Sequence, residues 1–151
     1  MTALVFVSTE LSPFTPGGIG RVLHNILKSL SDADRARSVV LLVDTVVNPE
    51  AFAAVFPGVR LLQLDTTQDA SRYAHGHRVP PDWAFSDTRS HWRSASVMLA
   101  IESLAREVSI EYVEFPDWGG LAFCTLQERL FSGLLSGACL AVRLHSTHTA
   151  L

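Results

Sequence analysis

Leu4-Val5-Phe6-Val7 and Gly17-Gly18-Ile19-Gly20 decide the fold of this chain. The first stretch is a short apolar run typical of a buried strand, and the polar, proline-containing residues 8–16 follow it. The glycines come directly before apolar residues at helical spacing, namely Ile19, Val22, Leu23, Ile26, Leu27 and Leu30. A strand, a glycine-rich turn and a helix in this order aim free backbone N–H groups at an anion, so the pattern predicts a nucleotide or a phosphorylated sugar as ligand.

The rest of the chain repeats the alternation of strand and helix. Further strands are predicted over residues 38–43, 59–64, 110–115 and 139–144, and further helices over 50–56, 94–108 and 118–131. In the last helix we expect an inward face made of Trp118, Leu121, Ala122, Thr125 and Leu126. Alternating strands and helices predict a Rossmann-like, three-layer α/β/α domain on a parallel sheet, with strand order 3-2-1-4-5.

Ligands of such sheets bind beyond the carboxyl ends of the strands. In this chain those ends are Ser8, Asp44, Asp65, the pair Pro116-Asp117, and His145. The polar residues that stand out in the sequence gather there, as expected for the rim of a binding site.

Composition excludes several classes of protein. The 151 residues are 48% hydrophobic and 18% charged, which fits one globular domain with a real core. The net charge of −3, without a run of Lys or Arg, argues against a nucleic-acid partner. Nothing at the N-terminus marks secretion, so we expect a cytoplasmic protein in which Cys124 and Cys139 are buried thiols.

The glycine turn by itself leaves two interpretations open. Leu23 stands where the third glycine of a dinucleotide fingerprint belongs, and no Gly-Lys-Ser/Thr follows as in a P-loop. A plain tight turn before a helix is therefore the alternative to a phosphate site. We predict no metal, because His75, His77, His145 and His148 lack a third ligand at a useful spacing.

Three stretches resemble the N-terminal domain of GT-B glycosyltransferases, most closely those of family GT4. They are residues 7–22 with the Pro-Gly-Gly-Ile-Gly turn, residues 115–122 (FPDWGGLA), and residues 142–148 (VRLHSTH), and they occur in family order. Glycogen and starch synthases carry a lysine before the glycine pair, whereas this chain has Thr15-Pro16, which counts against those enzymes.

The resemblance implies a retaining glycosyltransferase without a cofactor. Its donor would be a UDP-, ADP- or GDP-sugar, and its acceptor a carbohydrate or a lipid-linked molecule. Gly17, Gly18, Gly20 and Arg21 would bind the donor diphosphate, and His145 and Asp117 would be catalytic, with His145 facing the donor sugar. Two ordinary roles compete, since Asp117 is also a good helix N-cap and Arg21 a solvated first-turn residue.

The family normally carries its nucleotide-sugar pocket in a second domain, which residues 1–151 do not contain. We therefore expect a partial N-terminal domain that is inactive alone and self-associates, in a parent that is cytoplasmic with peripheral membrane attachment left open. Residues 65–92 form a long polar stretch, and the aromatic and arginine residues within 72–93 predict either an acceptor surface or a disordered insertion. The alternatives in function are a non-catalytic nucleotide- or sugar-binding module and a doubly wound regulatory domain.

Overall fold

The computed structural model describes residues 2–67 and 89–144 of the chain. The strands are β1 (Ala3–Ser8), β2 (Ser38–Val43), β3 (Arg60–Leu64), β4 (Ile110–Pro116) and β5 (Cys139–Arg143). The helices are α1 (Gly18–Ser29), α2 (Asp32–Ala36), α3 (Pro49–Val55), α4 (Arg89–Glu107) and α5 (Phe123–Ser132), with a 3-10 turn at Trp118–Gly120. Each of the five predicted strands is present, and each predicted helical region overlaps an observed helix, although the bounds differ by a few residues.

The five strands form one parallel sheet in the order β3-β2-β1-β4-β5, which confirms the predicted order. The central strand β1 pairs with β2 on one side and with β4 on the other, so that Val5 lies opposite both Val39 and Val113. Both edges of this sheet, β3 and β5, have one neighbouring strand among the described residues. The parallel arrangement brings the carboxyl ends of all the strands to one edge of the domain.

Each face of the sheet has its own core because successive side chains of a strand point to opposite faces. On one face, Phe6, Val40 and Leu42 pack with α1 and α3. On the other, Val5, Leu41 and Val113 are among the strand residues that pack with α4. Helices thus cover both faces, which confirms the three-layer α/β/α architecture and explains why β1 and β2 read as continuous apolar runs.

The predicted helix over residues 118–131 is two separate pieces. Gly119 and Gly120 adopt left-handed backbone conformations with φ of 74° and 62°, so the first turn is 3-10 and α5 begins at Phe123. Trp118 is 56% exposed, and the prediction that it belongs to the core is wrong. Leu126 is 41% exposed, so the prediction that it faces inward is also wrong. The buried residues of α5 are Cys124 and Thr125, which form a narrow inward face.

The short helix α2 is absent from the sequence-based prediction. It has no buried residue, so it produces no apolar periodicity to detect. What marks the start of α2 is its N-cap residue, because the Ser31 hydroxyl accepts a hydrogen bond from the Asp34 backbone N–H at 3.1 Å. A search for Ser-x-x-acid patterns would have found it.

The two cysteines differ in their surroundings. Both are free thiols, and Cys124 is buried between α4 and α5 as predicted. Cys139 is exposed, which contradicts the predicted buried thiol. Cys139 begins the edge strand β5 and lies opposite Tyr112 of β4. It is therefore on the sheet face that α1 and α3 cover closer to the centre of the sheet. Among the described residues, no helix is both long and apolar enough to cross a membrane.

Candidate ligand-binding site at the carboxyl edge of the sheet

The loop between β1 and α1 is fixed by hydrogen bonds to its own backbone. The buried Ser8 hydroxyl donates to the carbonyl oxygen of Glu10 at 2.6 Å. The Thr15 hydroxyl accepts from the backbone N–H of Leu11 at 2.8 Å, and the Ser12 N–H donates to the carbonyl of Gly20 at 3.3 Å. The loop therefore returns to the first turn of α1 and holds the glycine turn in place.

The Glu10 carboxylate lies at the start of α1. Its Oε2 is 3.4 Å from the backbone nitrogen of Gly20, which donates to it. Gly17 occupies the N-cap position without a side-chain cap, so Glu10 supplies an acceptor to the first turn of the helix. The sequence analysis gave Glu10 no role. An acidic residue between the end of a strand and a glycine turn is the pattern that could have indicated its position at the helix start. Glu10 places a negative charge where the predicted diphosphate would bind.

The three predicted glycines are not equivalent. Gly17 has φ of 133°, and a Cβ there would overlap the Glu10 carboxylate. A Cβ on Gly20 would lie 2.7 Å from the backbone nitrogen of Leu11, closer than any real contact. Gly17 is therefore favoured by its positive φ, and Gly20 is required by its packing against the backbone of residues 10 and 11. A Cβ on Gly18 would meet nothing within 4 Å, so the space beside Gly18 is open. The fold gives no steric reason for a glycine at residue 18.

The other predicted site residues are placed as follows. Arg21 is exposed on the first turn of α1. Asp117 follows the end of β4, and its backbone N–H donates to the carbonyl of Arg143 at 3.1 Å. Its side chain makes no capping hydrogen bond, so the N-cap role that the sequence offered is not used. His145, and most of residues 65–92, lie outside the described residues. Contacts of Asp117 and Arg21 with a ligand remain predictions.

A second polar cluster, which sequence reasoning did not assemble, lies at the same edge. Asp44, directly after β2, accepts hydrogen bonds from both the N–H and the hydroxyl of Thr66, each at 2.7 Å. Arg93 of α4 completes it, with Nε 2.8 Å from Asp44 Oδ2. Thr66 is held in turn by the Trp92 indole, which donates to its carbonyl at 3.0 Å. The cluster joins the ends of β2 and β3 to the first turns of α4.

Comparison with protein-family models and with curated proteins gave no match for this chain.

A third polar group lies on β4 and β5. Tyr112 donates from its hydroxyl to Glu114 Oε2 at 2.7 Å, and Glu114 forms an ion pair with Arg143 of the edge strand. Burial raises the pKa of the Tyr112 hydroxyl and lowers the pKa of the Arg143 guanidinium. An arginine remains charged despite such a decrease, so the pair stays ionic. This group joins β5 to β4, and its ion pair between partly buried side chains argues for a structural role.

The described residues offer little for a metal ion. Across residues 2–67 and 89–144 no three His, Cys, Asp or Glu side chains are grouped so as to hold one. Among the described residues, the carboxyl edge presents backbone N–H groups of α1, the Glu10 carboxylate and the Asp44–Arg93 pair. These can bind hydroxyl groups and anions, which is what a sugar or a sugar phosphate presents.

Proposed function

We propose that this chain is the N-terminal, acceptor-side domain of a retaining glycosyltransferase. The enzyme would transfer a sugar from a UDP-, ADP- or GDP-sugar to a carbohydrate or lipid-linked acceptor, in the cytoplasm. The Rossmann-like fold and the resemblance of the three sequence stretches to family GT4 support this proposal. The observation that carries it is the open space beside Gly18, at the first residue of α1, where the fold itself requires no glycine.

The chemistry follows from the charge that the reaction creates. Departure of a nucleoside diphosphate leaves negative charge on the leaving oxygen, and N–H groups at a helix N-terminus stabilise it. A glycine at residue 18 lets a phosphate approach the backbone closely, since no side chain stands in the way. Glu10 opposes this binding in its present position, so its carboxylate would have to turn away from Gly20 as the diphosphate enters.

The test is sugar transfer by the protein translated from the complete reading frame. It is incubated with UDP-, ADP- and GDP-glucose and a panel of acceptors, beside Gly18→Val, His145→Ala and the matched control Arg106→Gln. We expect Gly18→Val to raise the apparent donor constant and His145→Ala to lower turnover, because a valine would fill the phosphate space and His145 would face the reacting sugar. Arg106 is an exposed residue near the end of α4, and its variant should resemble wild type. Transfer that neither variant impairs would contradict the proposal.

A non-catalytic sugar-binding module is the second candidate, and Glu10 favours it. A carboxylate accepts hydrogen bonds from sugar hydroxyls and repels a diphosphate. In that case glucose or a disaccharide would bind residues 1–151 alone, and Glu10→Gln would weaken the binding. Two titrations distinguish the candidates. The module candidate expects residues 1–151 to bind a neutral sugar, whereas the transferase proposal expects the protein translated from the complete reading frame to bind UDP.

A further inference from the structure

We infer that Arg93 is the anchor of a phosphate-binding site that is separate from the glycine turn. The inference goes beyond the proposed function, since it concerns residues to which the sequence motifs give no role. The inference rests on the contacts that hold the Arg93 guanidinium and on its position at the carboxyl edge of the sheet. It does not depend on whether the protein transfers a sugar.

The first step is the orientation of the guanidinium. Arg93 Nε is buried and faces Asp44 Oδ2 at 2.8 Å, while the whole side chain is 19% exposed. The contact is ionic, because the Nε–H is not aligned as a hydrogen bond. Asp44 is in turn held by Thr66, so the pair is fixed from both sides. Since arginine carries five N–H donors in one plane, pinning it through Nε leaves its two Nη groups as a paired donor surface.

The second step is what surrounds those Nη groups. Within residues 2–67 and 89–144 the Arg93 guanidinium has one ionic partner, Asp44. Its Nη1 lies beside Gly119, 3.8 Å from the point where a Cβ would be. Apart from Gly119 and its two neighbours, no other atom of the described residues lies within 4 Å of that point, so Nη1 borders open space on this side. At least one Nη group therefore borders a space that the described residues leave open.

The third step is position in the fold. Asp44 follows β2, Gly119 follows β4, and β1 lies between these two strands. The Arg93 guanidinium thus spans the carboxyl end of β1, where the strand order reverses and doubly wound sheets bind their ligands. It enters from α4, which packs on the sheet face opposite α1 and the glycine turn. Two N–H donors of arginine match two oxygens of one phosphate, which makes a phosphate group the fitting ligand.

A purely structural clamp between β2 and the 3-10 turn is the competing role. It predicts that Arg93 matters for stability and that no anion recognises it. The two roles are separated by chemical protection in the unmodified protein, which does not depend on a variant being able to fold.

In that experiment the chain is treated with phenylglyoxal, with and without inorganic phosphate, and the modified arginines are mapped by peptide mass spectrometry. We expect phosphate to slow modification of Arg93 at least fivefold and to leave the exposed Arg106 unchanged. Sodium acetate at equal ionic strength should protect neither. Protection of Arg21 alone would place the phosphate at the glycine turn and overturn the inference, as would equal protection by acetate or no protection at all.

A second measurement uses variants and calorimetry with inorganic phosphate and with glucose 6-phosphate. Arg93→Gln should weaken binding at least tenfold, and Arg93→Lys should weaken it less, since lysine keeps the charge but loses the paired donors. Arg106→Gln serves as the matched control on the same helix. Gly18→Val should leave this binding intact, so that failure of the proposed transferase and failure of the Arg93 site give different results. Unchanged binding in a folded Arg93→Gln protein would overturn the inference.

Discussion

The Glu10 carboxylate accepts a hydrogen bond from the backbone N–H of Gly20 at 3.4 Å, so a negatively charged side chain of the protein itself lies at the start of α1. This relationship bears directly on the predicted diphosphate site. Helix N-termini favour anions, and here an internal anion already benefits from that preference. Any external phosphate at the glycine turn must therefore compete with Glu10.

Replacing Glu10 by glutamine should strengthen binding of a nucleoside diphosphate at the glycine turn. The variant removes the repelling charge while keeping the size of the side chain. Charges about 4 Å apart near a protein surface interact by roughly 1 to 4 kcal/mol, so we expect at least about a threefold gain in affinity. Calorimetry with UDP on the protein translated from the complete reading frame measures the gain, and Glu50→Gln in the first turn of α3 is the control. Equal affinities of wild type and Glu10→Gln would mean that phosphate does not bind beside Glu10.

The glycines of the turn should respond differently to alanine. Gly20→Ala forces a methyl group against the backbone of Leu11 and should cost about 1–3 kcal/mol in the free energy of unfolding. Gly18→Ala meets open space at the start of a helix and should change that free energy by less than about 1 kcal/mol. Urea unfolding followed by circular dichroism compares the two. A large loss in Gly18→Ala would show that residue 18 is constrained by the fold after all.

The two thiols should differ strongly in reactivity. Cys139 is exposed on the edge strand, whereas Cys124 is buried and burial raises the pKa of its thiol. A raised pKa leaves less thiolate at neutral pH, and thiolate is the reacting form. Iodoacetamide should therefore label Cys139 first and Cys124 only on unfolding, as read by mass spectrometry over time. The Cys139→Ser protein should show the slow reaction alone, and fast labelling of Cys124 would contradict its placement.

The protein should self-associate through α5 and the β5 edge. Among the exposed apolar side chains, Leu130 and Phe131 at the end of α5 are 84% and 86% exposed, and Trp118 and Phe123 extend the same region of the chain. Apolar patches and unpaired edge strands recruit partners. Sedimentation at micromolar concentration should show a dimer or larger species.

Phe131→Glu should return that species toward monomer, because it places a charge within the apolar surface. Val46→Glu is the control, since Val46 is equally exposed but lies in the loop between β2 and α3. A wild-type protein that sediments as a clean monomer would contradict the prediction. So would dissociation caused equally by both variants.

The order of the strands and the layers of the fold could be predicted because they depend on local patterns. Apolar runs such as residues 38–43 can be buried only between two covered faces, and the helical spacing from Ile19 to Leu30 supplies such a cover. The rule for right-handed crossovers then leaves few topologies, and the predicted order 3-2-1-4-5 is the observed one. The positions of Asp44 and Asp117 at the carboxyl edge follow from the same reasoning.

Tertiary structure alone decided how those residues meet. The pairing of Asp44 with Arg93 joins residues 49 positions apart, and no local pattern records which of the chain's arginines comes near a given carboxylate. The exposure of Trp118 depends on two left-handed glycines, whose backbone angles interrupt a pattern that reads as one helix. The approach of Glu10 to Gly20 depends on the loop turning back on α1. Periodicity reports which face of an element is buried, whereas side-chain contacts between elements are fixed only when the whole chain packs.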